Sequence, residues 1–241
     1  MHLCSGAVST GAFNREFYIR NGMDPRQISP GVCPADTEAF ACAYNDNHRV
    51  LQAIDRQLRI GFAGKLIPQK GVDELLKASA LLTRDRDWSL TVVGDGPLMV
   101  ELQTLSAQLS ITDRVIFHGF ANASEMPNLL ACFDVVVVPS RLDMRVLVTI
   151  EAMAAGAAIV VSDTTAVWGP GDLVEDGVTG LVYKSGDPAS LAYQLDRLLN
   201  DSDLLSTLRI NGIERSGSFG PSAYARTMAS AVRASLRGKD V

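Results

Sequence analysis

The alternation of short β-rich runs with longer helical patterns constrains the fold of this chain more than any other feature of its sequence. One run, Val135–Val138 preceded by Asp134, is continuously apolar, which is typical of a strand buried on both faces. Alternating strands and helices predict an α/β fold in which a doubly wound parallel sheet carries helices on both faces. Ligands of such sheets bind beyond the carboxyl ends of the strands. The runs are 58–63, 88–93, 114–118, 134–138, 158–162 and 180–183.

Apolar residues at helical spacing predict the helices that connect these strands. A helix over 147–155 is expected to end at Gly156, and a shorter one over 124–132 has Ser124 as its expected N-cap. Further helical stripes lie at 72–82, 98–109, 191–199, 201–214 and 221–238.

The first 57 residues do not follow this rhythm. Residues 11–21 are predicted to form one helix, stopped by Gly22. Turn and extended signals follow at Asp24-Pro25, Ser29-Pro30-Gly31 and Cys33-Pro34, so residues 23–45 are interpreted as a linker. The predicted division is therefore a remnant of a preceding unit with its linker over 1–45, a ligand-binding domain over 46–220, and a C-terminal helix and tail over 221–241.

Composition excludes several classes of function. The formal net charge of −5 over 241 residues argues against non-specific binding of nucleic acid, which needs a basic surface. The four cysteines form no Cys-x-x-Cys pair, so we expect free thiols in a reducing compartment and no metal site. No apolar run approaches the roughly 18 residues of a membrane span, and the N-terminus lacks a secretory pattern. We expect a cytoplasmic protein, at a membrane surface if its acceptor is a lipid.

Two lysines flank the turn after the first run. Gly64-Lys65 ends the strand, and Pro68-Gln69-Lys70-Gly71 leads into a helix. Unpaired N–H groups and the helix dipole favour an anion there, so the two ammonium groups would suit a diphosphate. Two solvated surface lysines are the alternative.

The turn after the second run is Val93-Gly94-Asp95-Gly96-Pro97. It imitates a dinucleotide fingerprint but has Met99 where the third glycine belongs. We interpret it as a tight turn in which the glycines let the backbone bend, Asp95 could cap, and Pro97 takes the first helical position.

Two acidic residues lie eight positions apart after the fourth run. Asp143 is in the loop, and Glu151 lies about one turn into the next helix. Ionised carboxylates accept hydrogen bonds from neighbouring hydroxyls, which suits a polyol, although such a pair also suits glycoside hydrolysis. A loop acid and a solvated helix acid are the alternative. Arg141 and Arg145 could pair with Asp143, bind phosphate or be exposed, and the three histidines form no cluster.

These segments together resemble the C-terminal domain of family 4 glycosyltransferases, retaining enzymes of the GT-B architecture with two facing Rossmann-like domains. The resemblance covers about residues 58–200, and 11–40 resemble the last helix of the acceptor domain with the interdomain linker. The matching pieces are Gly64-Lys65 with Lys70-Gly71, Val93–Pro97, Val115–Gly119, Asp134–Ser140, Glu151–Gly156 and Asp176–Gly180.

The resemblance implies a role for each matching residue. Lys65 and Lys70 would grip the donor diphosphate, and Asp143 and Glu151 would contact the donor sugar and the ribose, which makes these four the implied catalytic residues. The backbone of Arg145, Val146, Leu147 and Val148 would face phosphate, and the base would lie along 117–120. The implied donor-binding set is Gly64, Lys65, Lys70, Gly94, Phe117, Gly119, Asp143, Arg145, Val146, Leu147, Val148 and Glu151.

The implied function is binding of a UDP- or GDP-sugar for transfer of a hexose-type sugar to a saccharide or lipid, without a metal or other cofactor. Asp143 replaces the usual Glu, and Arg145-Val146 replaces the usual Phe-Gly. A complete acceptor domain is missing from the sequence, so the chain alone is expected to be catalytically incomplete. The alternatives are a non-catalytic subunit that needs a separate acceptor-domain partner, and a GT-B sugar-nucleotide epimerase.

Overall fold

A computed structural model describes residue 4 and residues 6–31, 34–51, 57–83, 87–144 and 147–237 of the chain. Its main sheet has six parallel strands within this described part, in the order β5-β4-β3-β6-β7-β8. The predicted α/β fold with a doubly wound parallel sheet is confirmed. The strands are β3 (Leu58–Ala63), β4 (Trp88–Val93), β5 (Val115–Gly119), β6 (Val135–Val138), β7 (Ala158–Ser162) and β8 (Leu181–Tyr183).

The helices cover both faces of this sheet. They are α2 (Thr37–Leu51), α3 (Val72–Ala80), α4 (Met99–Gln108), α5 (Met126–Ala131), α6 (Leu147–Ala154), α7 (Pro188–Asn200), α8 (Ser202–Ser216) and α9 (Pro221–Arg237). Side-chain caps fix two of the starts: Asp187 accepts hydrogen bonds from the second and third residues of α7, and Asp201 does the same for α8.

Strand β6 divides the core into two layers. Val135 and Val137 pack into the apolar cluster on one face, while Val136 and Val138 pack into the cluster on the other. All four are buried, as the continuous apolar run predicts for a strand covered on both sides. The chain runs from β3 outward to β5 and then returns to place β6 beside β3. The strand order therefore reverses between β3 and β6, and their carboxyl ends open a crevice.

The N-terminal residues form a separate small layer. Strands β1 (Ala7–Ser9) and β2 (Ile28–Pro30) pair in parallel and are joined by helix α1 (Ala12–Arg20). The predicted helix over 11–21 is confirmed, whereas the two strands were not predicted. All of α1 lies within the described residues, and none of its side chains is buried. Helix α9 contacts β1 and β2, so the last helix of the chain packs against the first residues.

The prediction of a linker over 23–45 is wrong from Thr37 onward. Helix α2 begins there, Asp36 accepts a hydrogen bond from the backbone N–H of Ala39, and the helix packs against α5 and α6. Phe40 and Ala43 are buried in the same cluster as β6. The helical spacing of these two apolar residues favours a helix, whereas the preceding prolines favour the linker that was predicted. Helix α2 runs through residue 45, so the predicted domain boundary at 45/46 falls inside this helix. The boundary itself stays a prediction.

Two predicted helix starts are also wrong. Helix α5 begins at Met126 after Glu125, and Ser124 does not cap it. Helix α4 begins at Met99, so Pro97 lies in the preceding turn and not at the first helical position. The end of α6 before Gly156 is confirmed, with that glycine at φ 78°.

Within the described residues, no helix combines the length and apolar character that crossing a membrane requires.

The packing of α2 predicts a large difference between two phenylalanine variants. Phe40 is 6% exposed and Phe13, on α1, is 50% exposed. We expect Phe40→Ala to lower the free energy of unfolding by about 3–5 kcal/mol, because it leaves a cavity in the core. Phe13→Ala is the matched control and should change it by about 0.5 kcal/mol or less. Denaturant unfolding measures both, and equal effects would show that α2 is not part of the folded domain.

Candidate functional site

The loops after β3 and β6 meet at the crevice where the strand order reverses. The loop after β3 carries Lys65 and Lys70, and the loop after β6 carries Asp143 and leads into α6. The four predicted catalytic residues therefore lie on two loops and a helix at the carboxyl edge of the sheet, with Glu151 on α6 as the fourth. This is where a doubly wound sheet binds its ligand.

The turn after β4 packs directly on the loop after β3. Gly94 and Gly96 have φ of 137° and 159°, and a Cβ on either would overlap a backbone carbonyl, that of Gly64 or of Leu66. Backbone hydrogen bonds join the loops, with Gly64 N donating to Val93 O at 3.0 Å and Leu66 N to Asp95 O at 2.9 Å. The interpretation of this segment as a tight turn is confirmed. Asp95 caps no helix; its carboxylate accepts from the adjacent N–H of Gly96.

A cavity of about 490 Å³ opens between these loops and α6. Five residues of the predicted donor-binding set line it, and these are Gly64, Lys65, Gly94, Val148 and Glu151. Its wall also includes residues outside the predicted donor-binding set, namely Ala63, Val93, Asp95, Gly96, Ala121 and Met126. Phe120, at the end of the segment expected to contact the base, lines the cavity too and is 73% exposed.

Glu151 is the desolvated acid of this cavity. Burial raises the pKa of its carboxyl above the usual value. Within the described part of the chain no hydrogen bond or ion pair is made by its side chain. The ionised carboxylate is therefore an acceptor held in a partly dry place, ready for donors that a ligand would bring.

Asp143 lies in a different environment. Its carboxylate forms an ion pair with the ammonium of Lys70, and the Ser140 hydroxyl donates to it at 3.4 Å. Its backbone oxygen accepts from the N–H of Ala166 at 2.9 Å. The two acids eight residues apart are thus not equivalent, because Asp143 is tied to the lysine turn and Glu151 faces the cavity.

The two lysines also differ in environment. Lys70 is half-buried and pairs with Asp143, whereas Lys65 is exposed and lines the cavity. No carboxylate among the described residues pairs with Lys65. Lys65 therefore presents an unpaired positive charge to a ligand, and Lys70 presents one that is already partly neutralised.

Arg141 forms hydrogen bonds and an ion pair with residues around the turn after β3. Its guanidinium donates to both carboxylate oxygens of Asp73 at 2.8 Å and to the carbonyl oxygen of Pro68. It does not pair with Asp143 among the described contacts. Arg145 and Val146 lie outside the described residues.

The other described residues of the predicted donor-binding set do not line this cavity; they are Lys70, Phe117, Gly119, Asp143 and Leu147. Phe117 in β5 is half-buried and packs against the core, and Gly119 ends that strand with φ 81°. Leu147, at the start of α6, is 41% exposed and lines a second cavity of about 470 Å³. The first N–H groups of α6 have no partner within the helix, so its N-terminus carries a partial positive charge.

No metal site is visible in the described part of the chain, where no three His, Cys, Asp or Glu side chains cluster so as to hold an ion. The described cysteines, Cys4, Cys42 and Cys132, are free and exposed. Cys33 lies outside the described residues.

The chain is similar in fold to solved GT-B glycosyltransferases. The chain superposes on Anabaena HepE, crystallised in complex with UDP, with a TM-score of 0.79 and 22% identity, over 95% of this chain and 64% of that one. It also matches the C-terminal domain of a group 1 glycosyltransferase, LpcC, from Francisella tularensis, with a TM-score of 0.64 and 25% identity, over 76% of this chain and 97% of that domain. The fold is therefore that of a GT-B C-terminal domain.

Sequence similarity assigns the chain to one family of glycosyltransferases. Residues 44–215 match the family described as "Glycosyl transferases group 1", so the chain belongs to that family. It is 36% identical over 220 residues to a D-inositol 3-phosphate glycosyltransferase of Frankia alni, covering 87% of this chain and 53% of that protein. The chain spans about half the length of the curated relatives it matches, 44% to 53% for the first three.

The desolvation of Glu151 predicts a pH-dependent gain in stability for Glu151→Gln. A raised pKa means that the folded state disfavours the charged form, so the cost appears as the pH rises above 4.5, the ordinary value, and is fully present above the folded pKa. We expect the variant to be more stable than the wild type at pH 7–8, with no gain below the ordinary pKa. Thermal unfolding across this pH range measures it.

Glu101→Gln is the matched control, because Glu101 is exposed on α4. Its effect should be small at every pH. A loss of stability in Glu151→Gln at pH 8 would contradict the desolvated, unpaired state of Glu151.

Proposed function

We propose that this chain is the donor-binding half of a retaining glycosyltransferase of family 4 and that its cavity takes a nucleoside diphosphate carrying a hexose-type sugar. One observation carries the proposal: an unpaired lysine and a desolvated, unpaired carboxylate line the same cavity at the point where the strand order reverses. A cation and an acceptor-only group are what a diphosphate and a vicinal diol require.

The nucleoside would occupy the part of the cavity near Glu151. The ionised carboxylate of Glu151 can accept hydrogen bonds from both ribose hydroxyls, which would compensate for its desolvation. The exposed ring of Phe120, together with Met126, offers an apolar surface to a base. UDP and GDP are the expected nucleotides, and UDP was bound to the structurally similar HepE.

The diphosphate would lie between the lysines and the N-terminus of α6. Lys65 and Lys70 supply two positive charges, and the unpaired N–H groups at Leu147 and Val148 supply donors, with those of Arg145 and Val146 expected beside them.

In transfer, the bond between the sugar and the diphosphate breaks and charge develops on the leaving phosphate. Groups fixed before the reaction stabilise such charge without reorganising. The proposal involves no metal ion. The sugar would lie beyond the phosphates, towards Asp143.

The acceptor would be bound by a second domain. The proposal is supported by α1, which has no buried side chain and exposes Phe13 and Phe17, at 50% and 54%. A sheet of two parallel strands such as β1 and β2 is too small to bury its own faces. This surface also favours the second candidate function, a donor-binding subunit that works with a separately encoded acceptor domain, since exposed apolar patches mark interaction sites.

Nucleotide binding is tested by thermal unfolding with UDP, GDP and ADP and their sugars. We expect at least one to raise the melting temperature, because a ligand at 100 times its Kd stabilises by about 2.7 kcal/mol. Lys70→Ala should abolish the shift. The control is Lys184→Ala, an exposed lysine away from the cavity, which should keep it. If no nucleotide changed the melting temperature of the wild-type chain, the proposal would be rejected.

Transfer is tested by incubating the chain with the nucleotide-sugar that binds best and with candidate saccharide acceptors. We expect binding without transfer above the rate in buffer, because chemistry in this architecture occurs between two domains. Product formation is followed by the release of the nucleoside diphosphate. Rapid turnover by the chain alone would contradict the catalytic incompleteness, and the anomeric configuration of any product would decide between retention and inversion.

A further inference from the structure

The loop after β6 is built against the turn that carries Lys70. Residues 139–143 of this loop contact the short 3-10 turn Pro68–Lys70 and the glycine that follows it. Gly71 adopts φ 65°, and a Cβ there would overlap the carbonyl oxygen of Pro139. The backbone N–H of Arg141 donates to Gln69 O at 2.8 Å. The two loops therefore touch through their backbones, with no space between them for a side chain at Gly71.

The side chain of Arg141 fastens the start of this turn to α3. One guanidinium nitrogen donates to both carboxylate oxygens of Asp73, in the first turn of α3, and the other donates to the carbonyl oxygen of Pro68. Partial burial raises the pKa of Asp73, but hydrogen bonds from Arg141 and Lys77 outweigh this, so its pKa lies below the usual value. The planar guanidinium can bridge two acceptors in fixed directions, which a lysine ammonium does less well.

The end of the same turn is held by the same loop. Asp143 pairs with the ammonium of Lys70, and the side chains of the two residues are only 14% and 26% exposed. Arg141 thus holds Pro68 and Gln69, and Asp143 holds Lys70. The described hydrogen bonds of the Arg141 guanidinium all go to protein acceptors, and Arg141 does not line the cavity.

We propose that Arg141 is a positioning residue that fixes the Pro68–Lys70 turn, so that the Lys70 ammonium is in place to meet the donor diphosphate. This rests on the proposed function and assigns a role to a residue outside the donor-binding set. A cation that is fixed before the ligand arrives binds phosphate without losing the freedom of a mobile turn, and an error of about 1 Å in such a contact is costly. Arg141 acts only through Lys70 and does not touch the nucleotide.

The test compares nucleoside diphosphates with their parent nucleosides. Calorimetric titrations use UDP, GDP and ADP beside uridine, guanosine and adenosine, with the wild-type chain and Arg141→Ala. We expect Arg141→Ala to weaken the preferred nucleoside diphosphate by about tenfold, roughly one charge-assisted hydrogen bond, and to leave its nucleoside unchanged. General loosening of the site would weaken both ligands alike.

Three further variants separate positioning from other roles. Asp73→Asn removes the ionic anchor of Arg141 and should reproduce the loss in part. Lys77→Ala is the matched control: it removes the other ion-pair partner of Asp73 but no bond to the turn, so the affinity should stay that of the wild type. In a Lys70→Ala background, whose residual affinity is measured at high nucleotide concentration, Arg141→Ala should cause no further loss, because Arg141 acts only through Lys70.

The outcomes distinguish the two proposals. If the wild-type chain binds a nucleoside diphosphate and Arg141→Ala binds it equally well, the positioning role is wrong and nucleotide binding stands. Equal weakening of diphosphate and nucleoside, or an additive loss in the double variant, also overturns positioning. If the wild-type chain binds none of the ligands, the proposed function is rejected, and the role of Arg141 with it.

Discussion

The pairing of β6 with β3 is the constraint on which the site depends. Because β6 is buried between two apolar layers, it lies in the middle of the sheet, and the strand beside it is the first of the domain and not the preceding one along the chain. The loops after these strands are separated by about 70 residues of sequence, yet they share a crevice, as do Lys70 and Asp143 in their ion pair. Without this reversal in strand order, Lys65 and helix α6 would not line one cavity.

The electrostatics of the site follow from burial more than from residue type. Asp143 and Glu151 carry the same charge and lie on one short segment. Asp143 is neutralised by Lys70, whereas Glu151 is desolvated and without a partner in the described part of the chain. An unpaired buried charge lowers stability, so its presence is understandable if a ligand supplies the missing donors. Asp143 therefore holds the turn that carries Lys70, and under the proposed function Glu151 would receive the ligand.

The layer formed by β1, α1, β2 and α9 contrasts with the ligand-binding domain. Its helix α1 has no buried side chain, while the main sheet has a continuous core on both faces. Helix α2 belongs to the main domain by packing, because Phe40 fills the cluster beneath β6. Under the proposed function this contrast has a physical reason, because a second domain would cover the exposed surfaces of the small layer.

The sequence by itself determined the fold class, the strands of the main sheet and the residues that gather at its carboxyl edge. Periodicity of apolar residues reports burial locally, and the glycines at 94 and 156 report backbone conformations that other residues resist. Helix α2 and the starts of α4 and α5 were not predicted correctly, because neighbouring prolines and hydroxyl residues are compatible with several local structures. Only the tertiary structure decided that Lys70 pairs with Asp143, that Glu151 stays unpaired, and that Arg141 bridges Asp73 and Pro68. These contacts join residues 68 to 73 positions apart in sequence, so their partners depend on which strands become neighbours, and no local pattern contains that information.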